Sequence, residues 1–146
     1  MKISGLLHFN IRCNPADLPA LEKFYADILD AKAGYRPRFG FPGLWLYAGS
    51  EPLIHISARF PEGAIAKNQK HTGSVDHIAF KCAGSAQLRE RLVRSGIRFE
   101  EQNIENAGYQ IFLVDPVGTK LELNFPNSEA PPTIALGSRA LMNSSE

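Results

Sequence analysis

Four side chains in this 146-residue chain have the chemistry and the spacing to act together: His8, His55, His77 and Glu122. Three imidazoles and one carboxylate make an N3O donor set, which suits a divalent transition metal such as Zn, Ni, Co, Fe or Mn. The set is too rich in nitrogen for Ca or Mg, which take oxygen ligands. Spacing is what joins the four. His8 and His77 lie 69 residues apart, His55 and Glu122 lie 67 apart, and each pair sits in matching local sequence. Leu7-His8-Phe9-Asn10-Ile11-Arg12-Cys13 is echoed by Asp76-His77-Ile78-Ala79-Phe80-Lys81-Cys82. Leu46-Tyr47 followed by Leu53-Ile54-His55-Ile56 lines up without gaps on Leu113-Val114 followed by Lys120-Leu121-Glu122-Leu123. Two matched segment pairs at nearly equal offsets indicate an internal duplication.

The elements that must carry these residues follow from periodicity. Alternation along a strand sends successive side chains to opposite faces. Leu6 to Cys13 then places His8, Asn10 and Arg12 opposite Leu7, Phe9 and Ile11. Val75 to Cys82 sets His77 and Ala79 against Ile78 and Phe80. Leu53 to Ala58 sets His55 against Ile54 and Ile56, and Thr119 to Phe125 sets Glu122 against Leu121 and Leu123. All four candidate ligands therefore face away from the apolar side of their strands. Leu18, Leu21, Phe24, Tyr25, Ile28 and Leu29 form one helical stripe, with Asp17 as N-cap, Pro19 in the first turn and an end near Ala31. Ser85 caps a second helix through Leu88, Leu92 and Val93, which stops at Ser95-Gly96. Leu44 to Ala48, Phe99 to Asn103 and Tyr109 to Val114 complete the strands, with Tyr35 to Phe41 irregular and turns at Gly49-Ser50-Glu51-Pro52 and Asp115-Pro116-Val117-Gly118.

The order strand, helix, three strands occurs twice, which predicts an α+β fold of two βαβββ modules. The boundaries are 5–60 and 74–126 with a connector at 61–73, all in one domain spanning 1–126. A C-terminal tail, 127–146, loses periodicity, and no structure is expected at Pro131-Pro132 or in the last dozen residues.

Bulk properties narrow the function classes. A formal net charge of +1 gives no basic field for nucleic acid or for an acidic membrane surface. No apolar run approaches the about 20 residues of a membrane span, and no signal-peptide core follows Met1-Lys2-Ile3-Ser4. A reduced, cytoplasmic setting is expected, with Cys13 and Cys82 as packing residues. His71, in the connector, reads as a surface loop residue. There is no nucleophile elbow, phosphate loop, Cys-x-x-Cys or His-Glu-x-x-His. Arg36, Arg38, Arg59, Lys67 and Lys70 are solvated cations or a site for an anionic substrate group. Trp45, Tyr47, Phe39 and Phe41 pack in the core or in a dimer contact, or line an apolar pocket beside the metal.

Together these residues resemble the vicinal oxygen chelate superfamily, which includes glyoxalase I, methylmalonyl-CoA epimerase, extradiol dioxygenases, fosfomycin-resistance thiol transferases and bleomycin-binding proteins. The resemblance spans Leu6 to Phe125. It is carried by Leu7-His8, Leu21-Glu22-Lys23-Phe24-Tyr25 with Ile28-Leu29, Asp76-His77-Ile78-Ala79-Phe80, and Asp115-Pro116-Val117-Gly118-Thr119-Lys120-Leu121-Glu122-Leu123. It implies curled mixed sheets around a metal-centred cleft, commonly completed by dimerisation, so a homodimer acting on a small molecule is expected. It also implies that His8, His77 and Glu122 occupy three shared ligand positions. His55 stands at a fourth, where glyoxalase I and epimerases usually carry Glu or Gln. A filled fourth position favours a metal-dependent glyoxalase-like lyase or isomerase working through a metal-stabilised enediolate. Glu122 is then the general base, His55 a ligand or the returning acid, and Arg36 or Arg38 the contact to a substrate carboxylate. Two alternatives stand beside it: an Fe(II) or Mn(II) extradiol-type dioxygenase, and a non-enzymatic drug-binding resistance dimer.

Overall fold

A computed structural model gives the structure over residues 1, 5–59 and 75–142; His71, Lys67 and Lys70 lie outside the described residues. The chain forms two compact units, Met1–Gln69 and Lys70–Glu146. No helix among the described residues is long and apolar enough to cross a membrane.

The first unit runs β1 (Phe9–Arg12), α1 (Leu18–Leu29), β2 (Lys32–Ala33), β3 (Gly43–Ala48) and β4 (Glu51–Ser57). Its sheet has the order β1-β4-β3-β2, with β1 parallel to β4 and the other pairs antiparallel. Leu21, Phe24, Tyr25 and Ile28 of α1 are buried, as are Leu46, Ile54 and Ile56 of the sheet, so the helical stripe and one sheet face form the core of this unit. Asp17 holds the N-cap position, but its carboxylate turns back to accept from the Asn14 backbone N–H at 3.3 Å.

The second unit repeats the plan with β5 (Ile78–Lys81), α2 (Ser85–Arg94), β6 (Phe99–Ile104), β7 (Gly108–Val114) and β8 (Lys120–Phe125). Its sheet has the order β5-β8-β7-β6-β9, β5 being parallel to β8. The added strand, β9 (Arg139–Met142), pairs antiparallel with β6. Leu88, Leu92, Phe99, Tyr109, Ile111, Leu113, Leu121, Leu123 and Phe125 are buried. Within that core Glu101, fully buried, accepts from the Arg89 Nε–H at 2.6 Å and from the Tyr109 hydroxyl, which ties α2 to the sheet. Burial and the Glu101 charge both push the Tyr109 phenol up, so it stays a donor.

The α+β architecture of two βαβββ modules is thus present, with three local differences from the sequence expectation. Strands β1 and β5 start later than expected, at Phe9 and Ile78; Leu6 and Leu7 are exposed, and His8 and His77 stand just ahead of the paired residues. Ser85 is the first residue of α2 rather than its cap. Gly84 caps it at φ +87°, a conformation that favours glycine. The tail is also structured, because Glu129 Oε2 accepts from the Gly84 and Ser85 backbone N–H groups, each at 2.8 Å. A carboxylate there satisfies two orphan donors and complements the helix dipole.

Candidate metal centre

In the first unit, strand pairing sets His55 of β4 between Asn10 of β1 and Trp45 of β3. Its ring lies between two others. Trp45 stacks on it with centroids 4.0 Å apart and 5° between planes, and His8 stacks at 3.9 Å and 19°. His55 is buried, and desolvation holds its imidazole below the ordinary histidine value, with the nearby His8 and Arg36 charges adding to the effect. A hydrogen bond to the Pro52 backbone carbonyl acts the other way. His55 Nε2 is buried and has no hydrogen-bond partner among the described residues. A neutral imidazole with one nitrogen on a backbone carbonyl presents the other as a lone pair, the form that binds metals.

In the second unit, Glu122 of β8 pairs with Ala79 of β5 and Phe112 of β7. Its carboxylate is buried and held from several sides. Oε1 accepts from Gln110 Nε2 and from Asn124 Nδ2, each at 2.9 Å, and Oε2 lies 2.9 Å from His77 Nε2. Gln102 in turn donates to Gln110 Oε1 at 2.5 Å. His77 Nδ1 lies 2.7 Å from Asp76 Oδ2, and Asp76 also accepts from Lys120 Nζ at 3.2 Å. The His77 and Lys120 contacts together hold the Asp76 carboxyl below its usual range. The His77 and Phe112 rings stand perpendicular, with centroids 5.7 Å apart.

The donor chemistry fits a divalent ion. Two donors bound at about 2.1 Å and roughly a right angle to one metal stand about 3 Å apart, which is the separation of His77 Nε2 and Glu122 Oε2. Asp76 on the far nitrogen is the carboxylate partner that metal-bound histidines characteristically have. The unpartnered His55 nitrogen is a further free donor. Each unit brings together one pair, His8 with His55 and His77 with Glu122; no group of three or more His, Cys, Asp or Glu able to hold a metal occurs among the described residues.

Of the two arginines expected to meet substrate, Arg36 donates from Nη2 to the Phe41 carbonyl at 3.1 Å and lies 4.7 Å from the Phe39 ring centroid. Arg38 is exposed. Sequence reading did not single out Asp76, Gln110 or Phe112. The signal was available for the last two, since alternation puts both on the face of β7 that pairs alongside Glu122.

No protein-family model matches the sequence, and no curated protein matches it. Solved structures do. A glyoxylase/bleomycin resistance protein/dioxygenase domain from Frankia sp. EAN1pec superposes with a TM-score of 0.68 at 21% identity, covering 86% of this chain and 99% of that one. A glyoxalase family protein from Bacillus anthracis gives 0.67 at 19% identity, over 86% and 98%. A mutant of the fosfomycin resistance protein FosX from Listeria monocytogenes, complexed with Mn(II) and 1S,2S-dihydroxypropylphosphonic acid, gives 0.64 at 20% identity, over 86% and 94%. The fold of this chain is that of the vicinal oxygen chelate proteins.

Proposed function

We propose that this chain is a divalent-metal-dependent, glyoxalase-like lyase or isomerase acting on a small oxygen-chelating molecule. In this reading His8, His55, His77 and Glu122 are the metal-ligating residues, and the protein acts as a homodimer. The observation that carries it is the unpartnered, buried Nε2 of His55, held neutral between two rings. A buried polar atom without a partner costs about 1–3 kcal/mol, and a metal bond would offset that. The similarity to glyoxalase family structures supports the reaction class.

The bound ion would supply Lewis-acid polarisation of the substrate oxygens. The chain's own residues do the rest. Glu122 is the base for the carbon acid; its Oε2, the oxygen that Gln110 and Asn124 leave open, would have to loosen from the ion to take the proton. His55 returns the proton or remains a ligand. Trp45 and His8 fix the plane of the His55 ring, and Asp76 fixes that of His77.

The test has two parts. Elemental analysis of protein purified without added metal is expected to find about one transition-metal ion per four-ligand set. Protein loaded with Ni, Co or Zn is then assayed with the hemithioacetal of methylglyoxal. Absence of metal uptake removes the site, whereas uptake without turnover removes only that substrate.

A further inference from the structure

The second unit carries a cavity of about 630 Å³, a volume in the range that holds small organic ligands. Three cations line it, Arg98, Lys120 and Arg139, against one carboxylate, Glu100. Arg139 is taken up by Glu100, and Lys120 donates to Asp76 at 3.2 Å. Arg98 lies just ahead of β6, is exposed, and has no ion-pair partner among the described residues. The apolar lining includes Phe112 and Val114; Val114 is 54% exposed.

This cavity adjoins the His77–Glu122 pair through shared residues. Phe112 lines it, stands perpendicular to the His77 ring with centroids 5.7 Å apart, and is the cross-strand partner of Glu122. Lys120 lines it too, with its ammonium 5.3 Å from the Phe112 ring centroid and bonded to the same Asp76 that holds His77. A group seated over Phe112 therefore lies beside the carboxylate and imidazole pair. At the same time it presents its far end to an arginine whose charge no described carboxylate neutralises.

We infer that this cavity binds a small organic anion with an apolar body, the anionic end on Arg98 and the body over Phe112 and Val114. A guanidinium offers parallel N–H donors that match a carboxylate or phosphonate fork, so the charge on the ligand follows from the residue that waits for it. That the bound anion is the substrate rests on the metal-dependent reading above; that it binds does not.

Titration of the full chain with phenylacetate and with its neutral isostere phenylacetamide, followed by amide chemical shifts, tests the inference. Phenylacetate is expected to shift the Arg98, Phe112 and Val114 resonances and to bind roughly tenfold or more tightly than the amide, about the worth of one charge-assisted hydrogen bond. Arg98→Gln, an exposed change, should remove that preference by weakening phenylacetate alone, with metal content unchanged. His77→Ala should keep the preference while losing metal, which separates failure of the metal centre from failure of the anion site. Equal binding of acid and amide, shifts confined to other regions, or an undiminished preference in Arg98→Gln would each overturn it.

Discussion

The two candidate ligand pairs stand at equivalent points of one topology and are held in different ways. Asn10 pairs with His55 where Ala79 pairs with Glu122, so the backbone offers the same place twice. In the first unit that place is packed by rings, His8 and Trp45 closing on His55 from both faces. In the second it is wrapped by polar groups, with two amide donors on Glu122 Oε1 and the His77 imidazole 2.9 Å from Oε2. Ring stacking contributes about 0.5–1.5 kcal/mol beyond burial, while a hydrogen bond to a charged acceptor is worth about 1.5–3 kcal/mol. The duplicated backbone sets where each proposed ligand stands. The neighbours on the same face decide whether it is a neutral donor with a free lone pair or an anchored anion.

The largest effect should come from breaking the charged half. His77→Ala removes a proposed donor and leaves Glu122 facing its amides alone. Metal affinity should fall by about a hundredfold or more, taking bound metal on the purified protein from stoichiometric to trace. Elemental analysis after gel filtration reads this directly. Unchanged metal content in His77→Ala would sink the proposed centre.

The hairpins that deliver the two β-strands differ as well. The turn from β3 to β4 is Gly49-Ser50, with Gly49 at φ +64° and exposed residues. The turn from β7 to β8 is longer and built on the buried Asp115, whose Oδ1 accepts from the Val117 N–H at 3.0 Å and the Thr119 N–H at 2.7 Å. Asp115→Ala strands these amides and should cost about 2–3 kcal/mol in urea unfolding, whereas Ser50→Ala should stay within about 0.5 kcal/mol. Equal losses would mean that the longer turn is not what aims β8.

Smaller changes compare the supports themselves. Gln110→Leu removes a donor from Glu122, and Trp45→Leu removes one ring from the His55 stack; each should weaken metal binding by about tenfold, the charged half losing more. Competition with a chromophoric chelator would rank them, and a larger loss in Trp45→Leu would reverse the comparison. Such supports also mark where the sequence stopped being legible. The βαβββ repeat and the common facing of His8, His55, His77 and Glu122 were readable because alternation and helical stripes are local patterns. Strand β9 was not, since Arg139-Ala140-Leu141-Met142 has no alternation and is a strand only because the edge of β6 is there to pair with. The Glu129 cap on α2 was hidden for the same reason, joining residues 45 and 44 positions apart. In the first unit Pro37, Gly40 and Pro42 explain why the segment before β3 is irregular and β2 is only two residues long.

The repeat-equivalent thiols offer the mildest comparison. Cys13 is fully buried, while Cys82 is partly exposed and its Sγ–H points to the Phe80 carbonyl at 3.6 Å. Partial burial pushes the Cys82 thiol up; the Asn124 backbone pulls it down less strongly, and the Glu129 charge raises it further. The folded state thus holds this proton more tightly than the unfolded chain does. Its contribution to stability is present below the ordinary thiol value of 9.0 and is lost as pH rises through the folded value. Because the thiolate is the nucleophile, iodoacetamide should modify Cys82 more slowly than a free thiol at pH 8, and the rate should still be climbing where a free thiol levels off. Glu129→Gln should move that profile to lower pH, while Cys13 reacts only after unfolding. Labelling of both thiols at the same rate would show that the two strand ends are equally open, and this asymmetry between the halves would fall.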